Sequence, residues 1–130
     1  MKLKYIVMAF TLCLVVLGAS GMSVVEAAPK VIDFELEVEL KNDTEYDIEY
    51  EVKGERIEAK YKVPGQATKY GQEAQALIEP LLNQWNVSPD INKEELKKQI
   101  LSTLQVNPID VDEFELEVKF DNGQNLKIDR

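Results

Sequence analysis

Residues 32–40 read IDFELEVEL and decide the fold, because apolar and acidic side chains alternate strictly along them. The apolar positions are Phe34, Leu36, Val38 and Leu40, and the acidic positions are Asp33, Glu35, Glu37 and Glu39. Successive side chains of an extended strand point to opposite faces of a sheet. The pattern therefore predicts a strand with one buried face and one acidic, solvent-exposed face.

The same alternation continues in two segments, 45–52 and 56–63, which predict a second and a third strand. Lys41-Asn42-Asp43 is typical of a three-residue turn, and Gly54-Glu55 is typical of a two-residue turn. The first turn would place Glu39 opposite Glu45, Glu37 opposite Asp47 and Glu35 opposite Glu49. The second would place Asp47 opposite Lys62 and Glu49 opposite Lys60. Like charges directly opposite each other destabilise a sheet, and only the second hairpin would relieve them.

A helical period replaces the alternation after Pro64-Gly65. The predicted apolar stripe of the first helix consists of Ala74, Leu77, Ile78, Leu81 and Trp85. Pro80 lies inside this stretch, so we expect it to kink the helix or to split it in two. Asn92 predicts the N-cap of a second helix, with Glu95 three residues later. Its predicted buried stripe consists of Leu96, Ile100, Leu101 and Leu104.

Residues 113–128 alternate again and predict a final hairpin. A three-residue turn with Gly123 in the left-handed conformation would pair Val118 with Leu126 and keep the apolar side chains on one face. Residues 33–38 resemble residues 113–118 at a constant offset of 80. Duplication and independent convergence on the same amphipathic pattern both explain this similarity.

These elements predict an α+β fold, with an antiparallel β-sheet of about five strands in the order β-β-β-α-α-β-β and two helices packed on one face. Residues 28–130 would form this single α+β domain. Residues 1–27 read as a signal peptide, with Lys2 and Lys4 before an uncharged stretch from Tyr5 to Val25 and cleavage expected after Ala27. We therefore expect a secreted protein or one on the extracellular side of the cell envelope.

Two alternatives for the N-terminal segment stay open. The uncharged stretch is long enough to span a bilayer if it is not cleaved, which would anchor the domain to the membrane. A lipoprotein signal would need a cysteine at Ser20, whereas Cys13, the only cysteine of the chain, lies within the apolar stretch. Lipidation is therefore not expected.

The composition argues against several functions. The net charge is −9, and it would be −10 without residues 1–27, so binding to nucleic acid or to an anionic lipid surface is disfavoured. There is no histidine, and no cysteine would remain after cleavage, so the usual zinc ligands and nucleophile–base pairs are absent from the mature chain. We expect no enzymatic activity, no catalytic residues and no cofactor.

The acidic strand face admits several interpretations. It could bind a basic protein or peptide, or weakly bind Ca²⁺ or Mg²⁺, which prefer oxygen ligands. It could equally be a solvated face that keeps a small exported domain soluble. A third interpretation is an inhibitor or chaperone-like regulator of an envelope enzyme. The candidate binding residues are Glu35, Glu37, Glu39, Asp47 and Glu49.

The order of the elements resembles that of a known family. The resemblance rests on residues 34–38, 46–51, 74–82 and 114–123, which read FELEV, YDIEYE, AQALIEPLL and FELEVKFDNG. These segments are similar to those of the YusW-like family of small exported proteins from Bacillus-type bacteria. The resemblance implies a Gram-positive envelope or secreted location, and it implies no activity and no site. Several members of the family look like lipoproteins, and this chain departs from them at Ser20.

Overall fold

The alternating segments are strands and the helical-period segments are helices in the computed structural model, which describes residues 28–129. The predicted signal peptide lies outside the described residues. The elements, in chain order, are β1 (Val31–Leu40), β2 (Glu45–Lys53), β3 (Arg56–Lys62), β4 (Lys69–Tyr70), α1 (Gly71–Gln84), α2 (Lys93–Thr103), β5 (Val111–Phe120) and β6 (Asn125–Asp129), with a 3-10 turn at Pro108–Asp110 before β5. The α+β architecture with one antiparallel sheet is therefore confirmed.

The sheet has six strands in the order β4-β3-β2-β1-β5-β6, and every neighbouring pair is antiparallel. β1 is an interior strand between β2, its partner in the first hairpin, and β5, which is far away in the sequence. The sixth strand, β4, was not predicted. It has only two residues, Lys69 and Tyr70, which pair with β3 immediately before α1 begins, and two residues are too few to show an alternating pattern.

The three predicted turns have the predicted registers. In the first turn, Asp43 is left-handed (φ 69°) and its amide donates to the Leu40 carbonyl over 2.9 Å. In the last, Gly123 is left-handed (φ 87°) and its amide donates to the Phe120 carbonyl over 3.1 Å. Val118 is opposite Leu126, and the two-residue turn at Gly54-Glu55 sets the register between β2 and β3 as expected.

An asparagine stabilises each of the two three-residue turns in the same way. The Asn42 side-chain oxygen accepts from the Thr44 amide, and the Asn122 side-chain oxygen accepts from the Gln124 amide, both over 3.0 Å. The similarity between the two hairpins therefore includes their turn chemistry as well as their strand pattern.

α1 runs as one helix through Pro80, so of the two expected effects, a kink or a split, the split does not occur. Ala74, Ile78 and Trp85 from the predicted stripe are buried, whereas Leu77 is exposed. The helix ends where Asn86 adopts the left-handed conformation (φ 51°) and the Val87 amide donates to the Leu82 carbonyl.

α2 begins at the predicted cap. The Asn92 side-chain oxygen accepts from the Glu95 amide over 3.0 Å, which satisfies one of the free amides of the first turn. Leu96, Ile100 and Leu101 are buried, as the stripe predicts.

The core lies between the inner face of the sheet and the two helices. Trp85 is only 1% exposed, and its ring stacks on Phe34 with 6.1 Å between the ring centroids. The Trp85 indole Nε1 donates to Thr103 Oγ1 over 2.9 Å, which connects the end of α1 to the end of α2. The largest fully buried side chains include Phe114 and Phe120 of β5.

Neither helix of the described region has the length and apolar character that crossing a membrane would require.

Candidate functional site

The outer face of the sheet carries a block of nine carboxylates on three adjacent strands, which we call the acidic grid. Because inner and outer side chains alternate along each strand, the buried apolar residues force the acidic ones onto the outer face. The acidic grid consists of Glu45, Asp47 and Glu49 on β2, Glu35, Glu37 and Glu39 on β1, and Glu113, Glu115 and Glu117 on β5.

The strand registers align these carboxylates in three rows across the sheet. The first row is Glu49, Glu35 and Glu117; the second is Asp47, Glu37 and Glu115; the third is Glu45, Glu39 and Glu113. Side chains directly opposite on neighbouring antiparallel strands are about 5 Å apart at their Cβ atoms. Glu37 therefore lies at the centre of the grid, with a carboxylate on each side.

All five residues proposed from the sequence, Glu35, Glu37, Glu39, Asp47 and Glu49, lie together in the grid. The sequence interpretation missed the three glutamates that β5 contributes, Glu113, Glu115 and Glu117, because the pairing of β5 with β1 joins segments that are distant in the sequence. A signal for it was present, since residues 113–118 repeat the alternation of residues 33–38.

Cations lie at both borders of the grid: Lys60 and Lys62 on the β3 side, and Lys127 of β6 opposite Glu117. Lys60 Nζ contacts Asp47 Oδ2 at 2.8 Å, and Lys62 Nζ contacts Glu45 Oε1 at 3.4 Å. Within residues 28–129, no ion pair reaches the six grid carboxylates of β1 and β5. The negative charge is therefore least compensated along these two strands.

Four carboxylates of the grid have raised pKa values, and partial removal from water is the first cause for each of them. The pKa of Glu37 is raised from its ordinary value, first because the carboxylate is partly removed from water and second because Asp47 and Glu115 repel its charge. The pKa values of Asp33, Glu35, Glu39 and Glu49 are also raised, with partial desolvation as the first cause. The surroundings of Lys60 favour its charged form, because its hydrogen bond to Asp47 raises the pKa of the ammonium group.

These shifts predict that the domain is more stable in mild acid than at neutral pH. A carboxyl group with a raised pKa in the folded state binds more protons there than in the unfolded chain, so stability falls as the pH rises through the folded-state pKa. The pH range in which this stability is lost lies between the unfolded-state carboxyl pKa of about 4 and neutrality. Protonation of Glu35 and Glu37 would remove the repulsion in their like-charged pairs. At a few tenths of a kcal/mol per pair, the gain in stability is about 1 kcal/mol, or roughly 5 °C in the melting midpoint.

The measurement is a series of thermal melts between pH 4.5 and pH 7 at low salt. The double variant Glu37→Gln, Glu115→Gln is the matched test, because it removes the central charges while keeping the side-chain size. Its midpoint should depend less on pH than that of the wild type. A midpoint that rises with pH in the wild type would show that the grid does not strain the folded state.

The geometry of the grid suits diffuse attraction of cations more than tight coordination. Ca²⁺ needs several oxygens that converge at 2.3–2.6 Å from one point. Side chains on a sheet face stand side by side, and in the described part of the chain no group of three or more carboxylates is placed to hold a metal ion. One feature is unusual: Asp47 Oδ1 is buried and has no hydrogen-bond partner.

Comparison with known proteins assigns the chain to a family. Searches among curated proteins and among solved structures gave no match. The family model described as YusW-like protein matches residues 32–122, from the start of β1 to the turn between β5 and β6. The match covers all three strands of the acidic grid and both helices, and so most of the chain. The protein therefore belongs to the YusW-like family.

Proposed function

We propose that this protein is exported and acts outside the membrane as a non-catalytic binding module whose acidic grid receives a basic segment of another protein or peptide. The observation that carries the proposal is the register of β1 and β5, which places three pairs of glutamates face to face with no cation between them. A solvated face needs charge, but it does not need nine adjacent carboxylates in register on three neighbouring strands.

A cationic partner would remove the repulsion that the grid maintains in the free protein. Each like-charged pair destabilises the sheet on its own, so an ammonium or guanidinium group between two carboxylates gains attraction and relieves repulsion together. The grid lies on an open sheet face, where its carboxylates keep water contact until a partner arrives. Association should therefore be fast and strongly dependent on salt.

The test is a binding titration with a fluorescently labelled oligolysine as the probe. The wild-type domain should bind it at low salt, and binding should weaken steeply between about 20 and 150 mM NaCl, where the screening length falls below the size of the grid. We expect Glu37→Gln with Glu115→Gln to weaken binding at least several-fold, because the two central charges are lost.

The matched control is Glu73→Gln with Glu94→Gln, which changes the net charge by the same amount at exposed positions on α1 and α2. It should leave the affinity close to that of the wild type. Equal weakening by the two double variants would show that the probe responds only to net charge, and the acidic grid would then be a solvated face.

Weak binding of Ca²⁺ or Mg²⁺ is a second candidate, favoured by the buried and unpartnered Asp47 Oδ1. A ligand present at 100 times its dissociation constant stabilises a protein by about 2.7 kcal/mol, which is roughly 10 °C for a domain of this size. Melts in CaCl₂ or MgCl₂ against NaCl of equal ionic strength separate binding from screening. A rise with the divalent salts alone, lost in Asp47→Asn, would favour this candidate.

The location is part of the proposal and depends on residues 1–27 acting as a signal. Cleavage would release the domain to the extracellular side of the envelope, and a retained segment would hold it at the membrane. If the basic partner is an envelope enzyme, binding at the grid would make the protein an inhibitor or a chaperone-like regulator. Fractionation of the producing cells and N-terminal sequencing of the exported protein test the location.

A further inference from the structure

A cleft of about 640 Å³ lies on the helix side of the sheet, where the chain enters β1. One wall is the segment from Ala28 to Val31, and the opposite wall is formed by the second half of α1 and the residues that follow it. The polar side chains at the cleft include Tyr50, Glu79, Asn83 and Asn86. The start of the described chain therefore lines the same cavity as a glutamate from α1.

Two hydrogen bonds with Asp121, one to its side chain and one from its amide, hold the entering segment in place. The Lys30 amide donates to Asp121 Oδ1 over 3.0 Å, and the Asp121 amide donates to the Lys30 carbonyl over 2.9 Å. This reciprocal pair attaches Lys30 to the turn between β5 and β6. Of the described residues, Ala28 and Pro29 precede this attachment, so their reach from Lys30 is at most about 7 Å, and both line the cleft.

Glu79 uses one carboxylate oxygen for its two hydrogen bonds and leaves the other available to a further donor. Its Oε2 accepts from the Tyr50 hydroxyl over 2.8 Å and from Gln75 Nε2 over 3.1 Å, whereas no hydrogen bond from the described residues reaches Oε1. None of the ion pairs in the described region includes Glu79. Tyr50 is 7% exposed, so the carboxylate is fixed against the core and keeps one oxygen free.

We infer that this cleft is the binding site of the ammonium group that appears at Ala28 when residues 1–27 are removed, and that Glu79 is its counter-ion. Hydrolysis of the Ala27–Ala28 peptide bond by an export peptidase leaves a carboxylate on Ala27 and a primary ammonium group on Ala28. A charged hydrogen bond between an ammonium donor and a carboxylate is stronger than one between neutral groups. The inference uses the predicted cleavage position and is independent of the acidic grid.

The other titratable groups of the cleft set the conditions of the test. They are Lys30 on the entering segment and Tyr50 on β2, in addition to Glu79 on α1. Tyr50 stays protonated across the useful range, because burial and, second, the hydrogen bond to Glu79 raise its pKa to about 12. The α-amino group titrates near pH 8 in an unstructured chain. Lys30 is the rival cation and needs a control of its own.

The experiment compares two forms of the chain from residue 28 onward, one with a free α-amino group at Ala28 and one with that group acetylated. All described strands, helices and core residues belong to residues 28–129, so this chain contains the complete described fold. We expect acetylation to lower the melting midpoint at pH 6.5 by about 3 °C, which is the shift expected when a domain of this length loses the stabilisation of one partly exposed ion pair. Nuclear magnetic resonance should show the pKa of the free α-amino group raised above 8.

Two variants make the comparison decisive. Glu79→Gln retains an oxygen for the Tyr50 hydroxyl and loses the charge, so acetylation should then have no effect and the α-amino pKa should return to about 8. Lys30→Gln should leave the effect of acetylation unchanged. An acetylation effect of equal size with and without Glu79, or no effect in the wild type, would overturn the inference. So would an exported protein that starts at a residue other than Ala28.

Discussion

Replacement of Trp85 with alanine is expected to remove about 3–5 kcal/mol of stability, the usual loss when a fully buried large aromatic is truncated. Trp85 connects three parts of the core, because its ring stacks on Phe34 of β1 and its indole nitrogen donates to Thr103 at the end of α2. The truncation would therefore leave a cavity and remove the donor to Thr103 Oγ1, whose hydroxyl would still donate to the Gln99 carbonyl. A domain of this size has about 5–15 kcal/mol in total, so the loss is a large fraction of it.

Urea unfolding followed by far-ultraviolet circular dichroism measures this loss. Trp85→Phe is the milder variant: it keeps most of the ring and loses the indole donor, so it should lose clearly less than Trp85→Ala and remain folded. Tyr70→Ala is the matched control, because Tyr70 is an aromatic residue that is 64% exposed. Its substitution should change stability by no more than about 0.5 kcal/mol. Equal losses for Trp85→Ala and Tyr70→Ala would contradict the packing described above.

Replacement of Pro80 with alanine is expected to stabilise the protein by about 2 kcal/mol. Pro80 lies in the interior of α1, where it removes a backbone donor and costs about 3 kcal/mol relative to alanine. Part of that cost is offset, because proline also restricts the unfolded chain, by about 0.4–1 kcal/mol. The ring is exposed, so little packing is lost with it.

Thermal and urea unfolding of both variants, Pro80→Ala and Pro80→Gly, measure the change in stability relative to the wild type. Glycine restores the backbone donor but is about 1 kcal/mol worse than alanine in a helix. The expected order of stability is therefore alanine, then glycine, then the wild type. A Pro80→Ala variant less stable than the wild type would show that α1 needs the geometry that proline imposes in order to cover the sheet.

The elements that the sequence predicted are those that depend on local chemistry. The alternation of residues 32–40, the cap at Asn92 and the left-handed glycine at Gly123 each act within a few residues, and each has the expected structure. Turn length fixed the hairpin registers, because a turn one residue shorter would have mixed the faces of the strands. The family resemblance was also correct, since it rested on these same segments.

The features that local chemistry did not predict are set by contacts between distant segments. β4 is defined by its pairing with β3 immediately before α1 begins, and Leu77 of the predicted apolar stripe is exposed. The strand order could not be deduced from the sequence. β5 could have paired with either β1 or β3, the edges of the first three strands, and either pairing would have kept apolar side chains on one face and acidic ones on the other. The β5 glutamates of the acidic grid were missed for this reason. The cleft at Glu79 was not predicted either, because its walls come from three segments that are distant in the sequence.

The interior position of β1 has a consequence for the rate of folding. β1 can pair with β2 as soon as the first turn closes, but its pairing with β5 must wait for a chain segment that contains β2, β3, β4 and both helices to be closed into a loop. Such long-range closures slow the folding of sheet proteins. The pairing of β1 with β5 also brings Glu35, Glu37 and Glu39 against three glutamates of β5, so mutual repulsion opposes this closure. Added salt should accordingly accelerate refolding.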